Sequence, residues 1–355
     1  MIFFDRSRVV ADWTCRRRRW WNYEYQGRGL SPRRENIALT DGIAVHDGIA
    51  RILLGGDVRE TALACADSVR QAILNDRVDA GLDPAFYAEE QACLSAGLIL
   101  GWDRLLKPRL LEAHRIHAVE ESVAYEFGDL TMAVKPDLLL EREDDGSLWY
   151  HEWKTTGTLT REYFESWHYA VQLQATLKVI SERVRPVVGA VIHALYKGVQ
   201  REGRQLSPFV YAYQRRDGDL SYSYTAGTTR VPVWEHRDIV EWVGRMPREV
   251  LEAQFGETPP IFYNPLLAEE FFLQREEREG EIRVAREAIT TADDPATALA
   301  VLRSNFPQNF AACRPAFGAA CAFRNLCFIP QVARAPLASG EFVLRQPHHD
   351  LEELE

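Results

Sequence analysis

Asp137, Glu152 and Lys154 are the residues of this sequence whose types and spacing best suit chemistry on a phosphate. Residues two apart on a strand project to the same side. In His151-Glu152-Trp153-Lys154 the glutamate and lysine therefore point together, while His151 and Trp153 face the other way. A turn at Asp144-Asp145-Gly146 would fold the preceding strand back antiparallel and bring Asp137 to the same spot. Two carboxylates crowded into a partly dry cleft repel each other unless a cation sits between them. Hard carboxylate oxygens suit Mg2+ or Mn2+. Such an ion lowers the pKa of a bound water and offsets charge building on a phosphate, and Lys154 could orient that water or stabilise the transition state. A Glu-x-Lys pair alone is as easily a solvated edge strand. Its placement adds weight: Val134 to Leu140 is apolar except for Lys135 and Asp137, with Pro136 between them.

The elements that must position these residues follow from periodicity. Residues 40–115 read as helices. Asp41 can cap a helix from Gly42 to Leu54, in which Ile43, His46, Ala50 and Leu53 share one face. Arg59 to Asn75 and Pro84 to Lys107 continue the helical pattern. His117 to Phe127, Thr131 to Glu141 and Leu148 to Thr155 then read as three successive strands. A helix from Arg161 to Val184, strands from Val187 to Tyr196 and Phe209 to Gln214, and helices from Trp234 to Phe255 and Pro265 to Ala288 follow. This order gives an α/β chain with a mixed sheet flanked by helices, its core over residues 117–215. No repeat or low-complexity linker divides residues 1–355, so one domain is expected.

Two further constellations stand out. Cys313, Cys321 and Cys327 are clustered, and Cys15 lies near the other end of the chain. Thiolates in groups of four bind zinc or an iron–sulfur cluster, and a cytoplasmic chain rarely builds a disulfide framework. Cys65 and Cys93, in Ala-rich helices, read as small core residues. Directly after Cys15 come Arg16, Arg17, Arg18 and Arg19, then Trp20, Trp21, Tyr23 and Tyr25. That block combines phosphate-binding charge with stacking surface, the chemistry of a single-strand groove. The alternative is a basic turn with its aromatics packed inward; at least two of the four arginines, with Trp20, are expected to touch nucleic acid. Lys135 and Lys197 are weaker candidates for phosphate contact.

The bulk properties set bounds. Of 355 residues, 46% are hydrophobic and 26% charged, a soluble globular balance. The net charge of -10 argues against a chain coated in nucleic acid, so any DNA must meet a local basic groove. No apolar run approaches bilayer-crossing length, and the N-terminal segment lacks a signal-peptide layout; a cytoplasmic protein is expected.

The succession KPDLLL, YHEWKTT and YAVQLQ resembles the RecB-like and Cas4-like branch of the PD-(D/E)XK nuclease superfamily. The resemblance implies a restriction-endonuclease-like mixed sheet with an N-terminal helical insertion, and a cysteine region (residue 15 plus 313–327) joining the chain ends. It implies a metal-dependent deoxyribonuclease, an exonuclease or end-processing enzyme, acting with Mg2+ or Mn2+. Asp137, Glu152, Lys154 and Gln172 would form its catalytic set. Metal would be held by His46, Asp137, Glu152 and the Trp153 backbone carbonyl, with Glu120 as a further acidic ligand in preference to Glu121. Thr176 stands where the branch usually has a Tyr, and Tyr169 lies one turn before it. Cys15, Cys313, Cys321 and Cys327 would hold a [4Fe–4S] cluster, with zinc as the alternative. Five residues separate Cys321 from Cys327, as is usual in the branch, but seven separate Cys313 from Cys321, where two is commonest. The implied partner is DNA, single-stranded or with free ends, together with a helicase, recombinase or integrase. The competing expectation is a catalytically silent DNA-binding or assembly module of the same fold.

Overall fold

The structure, a computed structural model, describes residues 2–33, 37–75, 83–198, 206–313 and 320–346. Strand β1 (Ile2–Phe4) leads into helix α1 (Arg6–Thr14), which is capped by the Asp5 carboxylate accepting from the Arg8 N–H at 2.7 Å. Helix α2 (Arg16–Arg19) and β2 (Leu30–Pro32) precede three long helices, α3 (Ile37–Leu53), α4 (Val58–Asn75) and α5 (Pro84–Leu111). Five strands follow: β3 (His114–Val119), β4 (Val123–Phe127), β5 (Leu130–Val134), β6 (Leu138–Arg142) and β7 (Leu148–Thr156). Helices α6 (Arg161–Ser166) and α7 (Val171–Arg183) cross over to β8 (Val187–Tyr196). Next come β9 (Tyr211–Gln214), β10 (Leu220–Ser221), β11 (Thr229–Pro232), α8 (Ile239–Gly244), α9 (Arg248–Glu252), β12 (Phe255–Glu257) and β13 (Ile261–Phe262). The last part holds α10 (Pro265–Thr290), α11 (Pro295–Asn305), α12 (Phe310–Cys313), α13 (Arg324–Phe328), α14 (Pro330–Arg334) and β14 (Phe342–Leu344).

The central sheet has the order β12-β8-β7-β6-β3, with β13 also on β8. It is mixed: β3/β6 and β6/β7 are antiparallel, β7/β8 is parallel. A parallel pair needs a crossover, which α6 and α7 supply. One face packs against α3, α4 and α5, joining Leu138, Leu140 and Trp153 to Ile49, Leu98 and Trp102. The other packs Leu139, Tyr150 and Ile192 against Leu173, Leu177 and Ile180 of α7. A second small sheet, β1-β5-β4, stands beside it. Gly42 and Gly48 let α3 approach its neighbours closely: a Cβ on them would lie 3.1 Å from Thr155 Oγ1 and 2.5 Å from Ile99 Cδ1.

The α/β architecture and flanked mixed sheet are as the periodicity predicts, with corrections in detail. The expected strand from His117 to Phe127 is two strands in different sheets, broken at Glu120, whose φ is +53°. The expected strand from Thr131 to Glu141 is likewise split at Lys135-Pro136-Asp137; a proline has no N–H to donate to a ladder. The long helix expected after β7 breaks around Ala170, and the one expected after Trp234 breaks at Pro247, a residue helices do not extend through from the N-terminal side. Asp41 is no cap. Helix α3 begins before it, and its buried stripe is Val45, Ile49 and Ile52, with Ile43 exposed.

The two ends of the chain meet. Strands β2 and β14 pair antiparallel, and Trp20, Trp21, Ile282, Phe306, Phe323 and Phe342 share one apolar cluster.

Candidate metal centre

The two strand breaks face each other. The Glu120 N–H donates to the Pro136 carbonyl at 3.1 Å and to the Asp137 carbonyl at 3.3 Å. These bonds hold Glu120 in the left-handed region, where a non-glycine residue is strained by about 1–3 kcal/mol. Helix α3 brings His46 to the same place, its Nδ1 3.3 Å from Asp137 Oδ1. His46, Glu120 and Asp137 each offer one ligand atom, and these atoms lie within 4.8 Å of one another. No other group of three such residues does so among the described residues. Asp137 is nine-tenths buried, and its second oxygen accepts from the Trp153 N–H at 2.7 Å. The N–H and C=O of one strand residue leave on the same side, so the Trp153 carbonyl also faces the Asp137 side of β7. Two carboxylates and one imidazole make a hard, partly buried donor set that fits Mn2+ or Mg2+.

Glu152 and Lys154 project together from β7, as their spacing predicts, and pair with each other. Glu152 stands outside the close ligand group. Its Oε1 also accepts from Arg6 at 2.6 Å, while its buried Oε2 has no hydrogen-bond partner among the described residues. Burial alone pushes this carboxyl up, yet Arg6 and then Lys154 outweigh it and bring it down to about 2. Arg6, at the first turn of α1, lies with its guanidinium 5.2 Å from the centre of the Trp167 ring. No sequence spacing pointed to it; it is separated from Glu152 by 146 positions and reaches the site only because β1 adds to β5.

The remaining residues divide. Lys135 pairs with Glu120 Oε2 at 2.7 Å. Gln172 lies half-buried in the first turn of α7, where its backbone carbonyl accepts from Thr176 Oγ1 at 3.1 Å. The glutamine with a fixed side chain is Gln174, which bonds the Phe262 carbonyl and the Asn264 N–H. Glu121 is exposed.

The basic block needs correction. Arg17 is buried and caps the end of α11, donating to the Phe306 carbonyl at 2.7 Å and the Leu302 carbonyl at 3.3 Å. Arg19 is 1% exposed and pairs with Glu24 and Glu279, each at 2.8 Å. Trp20 packs on Phe306 in the interior. These three residues hold the chain ends together and do not present themselves to DNA. Of the five, Arg16 is exposed and Arg18 half-buried. Their partners explain it: Arg17 reaches the carbonyls at the end of α11, and Arg19 reaches Glu279 of α10. There Arg275 and Arg278 also bind Asp12, at 3.1 and 3.0 Å.

All four terminal-region cysteines lie where the chain ends join. Cys15 Sγ accepts from the Asn309 N–H at 3.3 Å, the Cys313 thiol faces the Asn309 carbonyl at 3.6 Å, and the Cys321 N–H donates to the Cys313 carbonyl at 3.0 Å. Burial pushes the Cys313 thiol up, with Cys321 and Cys15 adding to it; burial does the same to Cys327. No three of these sulfurs come within 4.8 Å of one another, whereas thiolates on one tetrahedral zinc stand about 3.8 Å apart. Cys65 and Cys93 are buried in the helical core.

No helix among the described residues is long and apolar enough to cross a membrane. Compared with protein-family models and with curated proteins, the sequence matches none.

Proposed function

We propose that this chain is a metal-dependent nuclease of the PD-(D/E)XK type, with a restriction-endonuclease-like core, hydrolysing phosphodiester bonds of DNA as an exonuclease or end-processing enzyme. One observation carries the reading: His46, Glu120 and Asp137 converge from three separate segments beside the Glu152–Lys154 pair. A divalent cation bound there would supply Lewis-acid charge and a water of lowered pKa. The Trp153 N–H fixes the orientation of the Asp137 carboxylate. Glu152 orients Lys154 and Arg6, both part-exposed, toward the cleft, and leaves Oε2 as a further oxygen for a cation. Lys154 positions the attacking water, and Arg6 offers a planar fork to the phosphate. Gln172 orients the site from the start of α7.

The cysteine region serves this reading as a [4Fe–4S] site held by Cys15, Cys313, Cys321 and Cys327. Its support is the junction of the chain ends, where all four of these cysteines lie. Anaerobically purified protein is expected to be brown; colourless protein with one zinc per chain would replace the cluster by zinc.

The test of the nuclease is labelled single- and double-stranded DNA incubated with Mn2+. Cleavage that stops with EDTA and in Lys154→Ala is expected. Tight DNA binding without cleavage would favour the silent assembly module instead.

A further inference from the structure

Two exposed apolar edges lead away from the metal centre, and the proposed chemistry uses neither. Helix α3 carries Leu39, Ile43 and His46 at spacings of four and three, so the three lie along one stripe of the helix. His46 ends the stripe beside Asp137. Leu39 and Ile43 are 58% and 61% exposed. The second edge is the single helical turn Trp167–Tyr169 between α6 and α7. The Arg6 guanidinium joins it to the site: it donates to Glu152 Oε1 at 2.6 Å and lies 5.2 Å from the centre of the Trp167 ring. Tyr169 ends this turn and is 83% exposed, more than any other large hydrophobic side chain among the described residues.

A single exposed apolar residue needs no explanation. Here the exposed residues come from two distant segments, and each segment also reaches the same site. Helix α3 already buries one stripe, Val45, Ile49 and Ile52, in the core. Leu39 and Ile43 are therefore a second apolar edge, turned to solvent. On the other side the Trp167 ring is half-buried and braced edge-on by Tyr163 at 6.3 Å. The Tyr169 side chain has no ring or hydrogen-bond partner among the described residues. Its ring is open to a ligand without any rearrangement of the fold.

The chemistry to which both edges lead selects their occupant. His46, Glu120 and Asp137 offer donors for a cation, with the Lys154 ammonium nearby. A cation and an ammonium attract a phosphodiester. In a nucleic acid the apolar surface that accompanies each phosphate is the flat face of a base. In a duplex those faces are closed by stacking on their neighbours. In an unpaired strand they are open, and aromatic rings stack on them whatever the base, while aliphatic side chains wedge between them.

Resting on the nuclease reading of the metal centre, we infer that these two edges decide which form of nucleic acid the site accepts. Tyr169 stacks on an unpaired base on one side of the phosphate at the metal centre, and Ile43 with Leu39 packs against an unpaired base on the other. The substrate is a strand whose bases are unpaired at the cut, and a paired end must fray before it enters.

Fluorescence anisotropy decides it, with Ca2+ present to offset the carboxylate charge. The probes are an oligothymidylate, a strand of equal length made of abasic sites, and a blunt duplex. The wild-type chain is expected to bind the thymidylate more tightly than either of the others. Tyr169→Ala and Ile43→Ser, both at the surface, should each weaken the thymidylate roughly fivefold or more and leave the abasic strand unchanged. Tyr169→Phe, which keeps the ring, should bind as wild type does. The two single strands carry the same phosphates, so the preference between them reads the bases and not the metal. A chain that shows this preference but never cleaves DNA with Mn2+ would support the edges and sink the nuclease reading. A chain that cleaves but binds abasic strand or duplex as tightly as thymidylate, or keeps its full preference in Tyr169→Ala, would overturn the inference and leave the nuclease standing.

Discussion

The Trp153 N–H donates to Asp137 Oδ2 at 2.7 Å, so the strand that carries Glu152 and Lys154 also fixes the carboxylate at the head of β6. This bond separates two roles of Asp137. Asp137→Asn retains an oxygen that can accept from Trp153 and should change stability little. Asp137→Ala leaves a buried N–H unpaired and should cost roughly 1–3 kcal/mol. Urea unfolding of the metal-free proteins measures the difference; equal stability of the two variants would show that the bond does not hold the strand.

Glu120 sets stability against function. At φ +53° it is strained, and glycine adopts that backbone freely. Glu120→Gly should therefore leave the stability to urea unchanged or raise it by up to about 1 kcal/mol, while Mn2+ affinity falls. A variant that is destabilised and keeps its metal affinity would contradict the assignment.

The arginine block should divide by burial. Arg19→Ala leaves the buried Glu24 and Glu279 to their remaining partners, Arg286 and Arg275, and is expected to cost about 3 kcal/mol in denaturant unfolding. Arg16→Ala, at the surface, should stay within about 0.5 kcal/mol of wild type. The reverse order would mean that α2 does not pack on α10.

Glu152 predicts a pH dependence. Its folded pKa, about 2, lies below its ordinary value of 4.5 because of Arg6 and Lys154. A depressed carboxylate stabilises the fold above its unfolded pKa, and that contribution fades as pH falls from 4.5 toward 2. Glu152→Gln should be less stable than wild type at pH 7, with the gap closing across that acid window. A gap that is constant with pH would show that the ion pairs contribute nothing to folding.

Much of this arrangement was legible in the sequence. Alternation around Glu152 and Lys154 gave their shared direction, because a strand has a period of two whatever surrounds it. The α/β order followed from the change of period near residue 117. What stayed hidden depends on tertiary partners. The basic block had a composition that suits DNA and an interior equally, and only the acidic row of α10, some 260 positions away, decides for the interior. Pro136 carried the signal of a strand break that the reading of Thr131 to Glu141 as one strand passed over, and nothing in the sequence signals the positive φ of Glu120, which the facing Pro136 and Asp137 carbonyls impose. Arg6 was invisible for the same reason: its place on Glu152 is set by the pairing of β1 with β5.

Titration of the metal-free chain with Mn2+, followed by electron paramagnetic resonance of the free ion, tests the central claim most directly. One tight site per chain is expected in the wild type, weakened at least tenfold in both His46→Ala and Asp137→Asn while the fold is retained. Wild-type chain that leaves Mn2+ free, or variants that bind it as tightly as wild type, would contradict the metal centre.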